Sequence, residues 1–168
     1  EMKRQHELVR QAKSFTVRTL DELRRLIQDL RPPLLDDMGL LAAVRWYAST
    51  HLEAAGVQVE FQSSGQVAAL DSNVETAVFR ILQEAINNAA RHAEASHVTV
   101  AISFAPHLLH AKVEDDGRGF NVEATRACAT GVGIAGMEER AELIGGRLTV
   151  RSRPGDGVSV ELEVPFGE

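Results

Sequence analysis

Two adjacent prolines, Pro32 and Pro33, divide this 168-residue chain. Neither can donate a main-chain N–H, and each disfavours helix in the residue before it, so a helix arriving from the N-terminal side must stop there. What arrives is a stretch free of Gly and Pro over residues 2–30, with apolar side chains at Leu8, Phe15, Leu20, Leu23, Ile27 and Leu30 among many charges. That spacing, near 3.5 residues, predicts a long helix with a narrow apolar stripe. Such a stripe needs a partner, which favours pairing in a bundle or dimer over a lone surface helix. The expected organisation is therefore a helix over 1–31, a link over 32–39 and a globular domain over 40–168.

Within the third part the hydrophobic period changes repeatedly. A helix is expected from Leu40 to Ala55, stopped by Gly56. Val57, Val59 and Phe61 alternate as in a strand. Asp71 or Ser72 can cap a helix reaching His92, with Val74, Ala77, Val78, Ile81, Leu82, Ala85, Ile86 and Ala89 on its apolar face. Strands Val98–Phe104 and Leu108–Asp115 follow, joined at Pro106-His107. Gly117 to Gly136 holds five glycines in twenty residues and suits a mobile loop. A helix from Gly136 to Ile144 ends at Gly145-Gly146, and strands Arg147–Ser152 and Gly157–Val164 flank the turn Pro154-Gly155-Asp156-Gly157. The economical packing of this order is α+β, a two-layer α/β sandwich in which a mixed sheet carries its helices on one face.

Composition narrows the function by exclusion. A net charge of −6 would repel a phosphate backbone, and Lys and Arg are scattered, so nucleic acid is not the expected partner. No apolar run approaches the roughly 20 residues that cross a bilayer. The first residue is Glu1, which points to a piece of something longer, so any membrane attachment is expected upstream. Cys128 is the only cysteine, which rules out an intrachain disulfide and suits the cytoplasm. No base stands near it in sequence, and an inert loop thiol is the expectation. His51, His97, His107 and His110 form no metal-ligand pattern.

Three segments have the residue types of a binding site. On the helix ending at His92, Glu84, Asn88 and Arg91 share one face, with Asn87 and His92 beside it. A solvated face would explain the charges, but two consecutive asparagines inside a helix are poor by propensity, so a specific contact is expected to hold at least one. Asp115-Asp116-Gly117-Arg118-Gly119 ends a strand. Its carboxylates could serve as acid and base, bind a cation, accept a base-edge amine, or simply make a turn. Gly131-Val132-Gly133-Ile134-Ala135-Gly136-Met137 runs into a helix whose free N–H groups suit an anion. It fits Gly-x-Gly-x-x-Gly, but no strand precedes it immediately, so the dinucleotide fingerprint lacks its context.

In this order the segments resemble the GHKL ATPases, and among them the sensor histidine kinases of the nitrate-sensor type. Gln83 to Ala93 is similar to the N box, Asp115 to Gly119 to the first glycine box, and Gly131 to Arg140 to the second. Leu30 to Leu40 is similar to the link that this subgroup places between its dimerisation and catalytic domains. The resemblance implies a Bergerat-type ATP-binding fold and the cofactors ATP and Mg2+. Asn88 would be the Mg2+ ligand, and Glu84 would hold a water or the incoming nucleophile. Arg91 and His92 would face the phosphates, and Asp115 would accept the adenine amino group. Gly117 and Gly119 would leave room for the base. Gly131, Gly133 and Gly136, with Met137, would form the lid and the phosphate-facing helix start. One departure stands out: Val158 occupies the place after Gly157 where the family usually has Thr.

The resemblance also implies a homodimer that transfers the γ-phosphoryl group of ATP to a histidine and then to a response regulator. His6-Glu7 superficially fits the acceptor, but only 25 residues separate His6 from Arg31. Two antiparallel helices need roughly twice that length at about 1.5 Å per residue. Residues 2–30 are therefore read as the second dimerisation helix, and this chain is expected to bind ATP without phosphorylating itself. An ATPase or serine kinase of the same fold would keep the three boxes without needing the link. A non-enzymatic dimerisation scaffold would bind no nucleotide.

Overall fold

The computed structural model describes residues 32–127 and 132–167. The helix expected over 2–30, His6, Cys128 and Gly131 lie outside the described residues. The chain divides after Pro32, and all elements below belong to the compact unit Pro33–Glu168.

Helix α1, Pro33–Ala54, begins on the second proline rather than at Leu40. Proline suits the first helical position, where its missing N–H would have had no partner. Gly39 (φ 72°, ψ 171°) interrupts the helix, so the expected link contains a helical turn before this kink. Strand β1, Gln58–Ser64, leads to α2, Ser72–Asn88, which buries Val78, Phe79, Ile81, Leu82, Ala85 and Ile86. Burial of each large apolar side chain in that set contributes about 1.5–3 kcal/mol. The chain then widens into a π-helical turn, Ala89–Ala93, and stops at Glu94 in the left-handed region (φ 53°). Strands β2, His97–Ala105, and β3, Leu108–Asp115, form the expected hairpin. Strands β4, Arg147–Ser152, and β5, Val158–Pro165, form another.

The sheet order is β1-β2-β3-β5-β4, with β1 parallel to β2 and every other pair antiparallel. Alternation decides what each face carries. Val98, Val100, Ile102, Leu109, Ala111, Val113, Val160, Leu162 and Val164 are buried, and these belong to the helix-covered face. Lys112, Glu114 and Glu161 fall on the opposite parity. Asp115 continues the buried series Leu109, Ala111, Val113, which delivers a carboxylate to the helix side of the sheet. The two-layer α+β expectation holds.

Within the glycine-rich segment, the described residues 122–127 and 132–136 are helical rather than loop. Residues Val122–Ala127 form a short helix, α3, whose Ala124 N–H donates to Asn121 Oδ1 at 2.9 Å. Helix α4, Val132–Leu143, begins a turn before Gly136. Ile134, Met137 and Ala141 lie at helical spacing and are all buried, and that burial outweighs the roughly 1 kcal/mol per glycine that propensity charges against helix. Among the described residues no helix is long and apolar enough to cross a membrane.

Candidate functional site

A cavity of about 580 Å³ lies between the end of α2, the start of α4 and the helix-side face of β3, β5 and β4. Of the residues expected to act together, Glu84, Asn88, His92, Asp115, Gly119, Gly133 and Met137 all line it. Its volume is within the range of small-molecule sites, about 300–1,000 Å³. Arg91, Gly117 and Gly136 are not among its walls, and each has a physical reason.

The π-helical turn displaces Arg91. On an unbroken α-helix Arg91 would stand over Glu84 and Asn88, but a π turn takes up roughly one more residue than an α turn. After Asn88 the position four residues on, His92, remains at the cavity, and Arg91 is exposed outside it. Gly117 and Gly119 are both required by close main-chain packing, and Gly119 also lines the cavity. A Cβ on Gly117 would lie 2.3 Å from the Ala93 carbonyl oxygen, and one on Gly119 would lie 2.0 Å from that of Arg153. Gly119 also has φ 57°, which glycine adopts without a steric penalty. Hydrogen bonds confirm the tight fit: Arg118 N–H donates to Ala93 O at 2.8 Å, and Gly155 N–H donates to Arg118 O at 2.6 Å. Ser152 Oγ accepts from Phe120 N–H at 2.8 Å and donates to Gly157 O at 2.7 Å. Gly136 faces its own helix, where Arg140 Nη1 donates to its carbonyl oxygen at 2.9 Å.

Gly133 does reach the polar strip. A Cβ there would stand 2.6 Å from Glu84 Oε1 and 3.7 Å from Asn88 Nδ2, so its bareness lets the first turn of α4 close over the α2 side chains. Glu84 and Asn88 are half-buried, and His92 is exposed at the cavity edge.

Asp115 is the one buried charged or polar residue among those described, 8% exposed. Desolvation raises its pKa above the ordinary carboxylate value, and the main-chain N–H groups of Gly117 and Val158 oppose that rise. Gly117 N–H lies 3.0 Å from Oδ1. Val158 thus contributes a main-chain donor, while its side chain adds apolar wall where the family's Thr would add a hydroxyl. Asp116, exposed, has its pKa lowered by the Ser96 hydroxyl and the Ser96 and His97 N–H groups.

Sequence reasoning missed the apolar walls. Val113, Phe120, Ile134, Val150 and Val160 line the cavity beside Asp115. The strand positions were legible from their parity with Asp115, because alternate residues share a face. It set Asn87 beside the face that Asn88 shares with Glu84 but gave Asn87 no partner. Tyr47 Oη donates to Asn87 Oδ1 at 2.9 Å, while Asn88 faces the cavity.

The comparisons with known proteins agree with this geometry. Residues 73–168 match the family described as histidine kinase-, DNA gyrase B- and HSP90-like ATPases. The chain is 35% identical over 158 residues to the signal transduction histidine-protein kinase/phosphatase DegS of Brevibacillus brevis, covering 94% of this chain and 40% of DegS. It is 37% identical over 149 residues to the oxygen sensor histidine kinase NreB of Staphylococcus carnosus, covering 89% of this chain and 43% of NreB. It therefore spans less than half the length of either relative. The structure superposes on that of the Acinetobacter baumannii histidine kinase AdeS with a TM-score of 0.65 at 19% identity, over 90% of this chain and 82% of that one.

Proposed function

The chain belongs to the histidine kinase-, DNA gyrase B- and HSP90-like ATPases, and from that premise we propose that it is the ATP-binding catalytic portion of a two-component sensor histidine kinase. The observation that carries the reading is the convergence of Asn88, Asp115 and Gly133, far apart in sequence, on one cavity.

Each part has a role that its surroundings support. Asp115 accepts the amino group of adenine. It is buried, its pKa is raised, and an amine donor would compensate the carboxylate for the water it has lost. Val113, Val150, Val160, Ile134 and Met137 supply apolar walls for the purine. Toward the other end, His92 and the first turn of α4 face the phosphates, where free N–H groups and the helix dipole favour negative charge.

Mg2+ fits the donor set. Among the described residues no group of three or more His, Cys, Asp or Glu side chains could hold a metal ion alone. One amide oxygen from Asn88, completed by nucleotide oxygens and water, is the kind of site Mg2+ accepts. Its chemistry would be to neutralise charge on the transferring phosphoryl group. Glu84, one turn before Asn88, holds the attacking group or an intervening water in line. Catalysis then rests on positioning and charge stabilisation.

The acceptor is a histidine other than those of this chain, His6 included, and the phosphoryl group passes on to an aspartate of a response regulator within a homodimeric assembly. Calorimetric titration with a non-hydrolysable ATP analogue, with and without Mg2+, tests the site. Asp115→Ala should lose binding by roughly ten- to hundredfold, about 1.5–3 kcal/mol for a hydrogen bond to a charged group. Asn88→Asp should chiefly harm the Mg2+-dependent part. Two variants that titrate like the parent would reject the assignment. Phosphoryl transfer is read as acid-labile label on histidine, and phosphate release without such label would favour a plain ATPase.

A further inference from the structure

We propose that Tyr47, on α1 and outside the cavity, is a positioning residue that fixes Asn88 through its neighbour Asn87. The proposal rests on the reading of Asn88 as the Mg2+-nucleotide ligand.

Tyr47 is well placed to act as a fixed post. It is 8% exposed, its ring stacks on His51 with centroids 3.8 Å apart at 20°, and it meets the edge of Phe79 at 6.0 Å and 76°. His51 is held in turn, its Nδ1 lying 2.9 Å from the Tyr47 carbonyl oxygen. A buried ring stacked on one neighbour and in edge contact with another leaves the hydroxyl little freedom, and that hydroxyl donates to Asn87 Oδ1 across 40 positions of sequence at 2.9 Å.

What it grips is the place where α2 changes its winding. Asn88 is the last α-helical residue before the π turn Ala89–Ala93, and the Ala89 N–H is shared between the carbonyls of Ala85 and Ile86. A helix end with divided hydrogen bonds has more than one way to wind, and Asn88, whose own backbone leads directly into the shared Ala89 N–H, turns with it. A bond from α1 to Asn87 selects one rotation, and so sets where the Asn88 amide points. This explains why two asparagines stand together at a site where helix propensity disfavours both: the first is the anchor and the second is the ligand.

The test is titration of the whole chain with AMPPNP, with and without Mg2+, for Tyr47→Phe, Asn87→Ala and the double variant. Tyr47→Phe keeps the ring contacts and removes only the donor. We expect Mg2+-free affinity within about twofold of the parent, Mg2+-dependent affinity reduced about three- to tenfold, as the loss of one hydrogen bond implies, and a double variant no worse than Asn87→Ala. A Tyr47→Phe chain that matches the parent with Mg2+, that loses affinity equally with and without Mg2+, or whose loss adds fully to that of Asn87→Ala would overturn the positioning role. If the parent itself shows no Mg2+-dependent binding, the reading of the site fails first and the proposal falls with it.

Discussion

The two ends of the cavity use glycine for different reasons. At the end near Asp115, added methyl groups would strike main chain: Ala93 O lies 2.3 Å from a Cβ on Gly117, Arg153 O lies 2.0 Å from one on Gly119, and Asp115 O lies 2.0 Å from one on Gly157. Main chain held in strands and turns cannot move aside without disturbing the sheet. At the end near Asn88, a Cβ on Gly133 would meet only the tip of the Glu84 side chain at 2.6 Å, and one on Gly136 would meet the Arg140 guanidinium at 3.2 Å. Those groups can swing away. The end near Asp115, proposed above to take the base, is therefore rigid by construction, while the end near Asn88, proposed to take the phosphates, is closed by contacts that can yield, as the proposed entry and release of a charged ligand requires.

Gly119→Ala is the strongest way to break this contrast. It combines overpacking against Arg153 and Gly157 main chain with a left-handed φ of 57°. Overpacking costs about 1–3 kcal/mol and a side chain at such a φ about 1–2 kcal/mol more. Urea denaturation should show a loss of at least about 2 kcal/mol, and a variant as stable as the parent would mean that the first glycine segment is no more rigid than the second.

Asp115→Asn should separate function from stability at the rigid end. Loss of the buried carboxylate should weaken ATP-analogue binding by roughly ten- to hundredfold, because the amide keeps one acceptor oxygen where the carboxylate has two, and the Gly117 and Val158 N–H groups would compete for it with the proposed adenine amine. The same change should stabilise the ligand-free domain near neutral pH. The folded pKa of Asp115 is raised, so its contribution to stability is fully present below the unfolded pKa and is lost as pH rises through the folded value. The variant's advantage should accordingly grow as pH rises through that elevated value and disappear in acid. Thermal melts across pH check the sign, and a variant less stable than the parent at neutral pH would show that the Gly117 and Val158 donors outweigh desolvation.

Gly133→Ala probes the yielding end, and its effect on stability should be small. Alanine gains up to about 1 kcal/mol over glycine in helix propensity, offset by displacing the Glu84 carboxylate. Net stability should stay within about 1 kcal/mol of the parent, while nucleotide affinity falls because Glu84 and the α4 turn no longer meet as they do now. Denaturation and calorimetry on one sample separate the two, and a loss of stability as large as that of Gly119→Ala would erase the contrast between the ends.

The difference between the ends also explains which features were legible before the structure. Strands could be read because Val98, Val100 and Ile102, or Leu109, Ala111 and Val113, alternate with polar residues, and the same parity carries Asp115 inward. The three segments could be read as one site because their order resembles that of the GHKL ATPases, not because any one of them fixes its ligand. The π turn could not, since nothing in Ala89-Ala90-Arg91-His92-Ala93 distinguishes it from an α-helix by period, and it leaves Arg91 off the cavity wall. Nor could the duties of Gly117 and Gly119, whose constraint is the tertiary approach of Ala93 and Arg153. Asn88 was set on the site face by helix spacing and by the resemblance, but the partner of Asn87 could not be read, because Tyr47 stands 40 residues earlier in sequence.

Asp116 gives the smallest effect and the clearest control, because it adjoins Asp115 and differs in environment alone. Its parity turns it outward, where the Ser96 hydroxyl and the N–H groups of Ser96 and His97 bind its carboxylate. These lower its pKa, whereas desolvation raises that of Asp115. For a depressed carboxylate, the stabilisation is present above the unfolded pKa and lost as pH falls through the folded one. Asp116→Asn should therefore be slightly less stable than the parent at neutral pH, converge with it in strong acid, and bind nucleotide unchanged. Melts of the two Asn variants over one pH series should diverge from the parent in opposite directions. Curves that move together would mean that the neighbouring carboxylates share an environment, and the distinction between a buried recognition group and an exposed structural one would be lost.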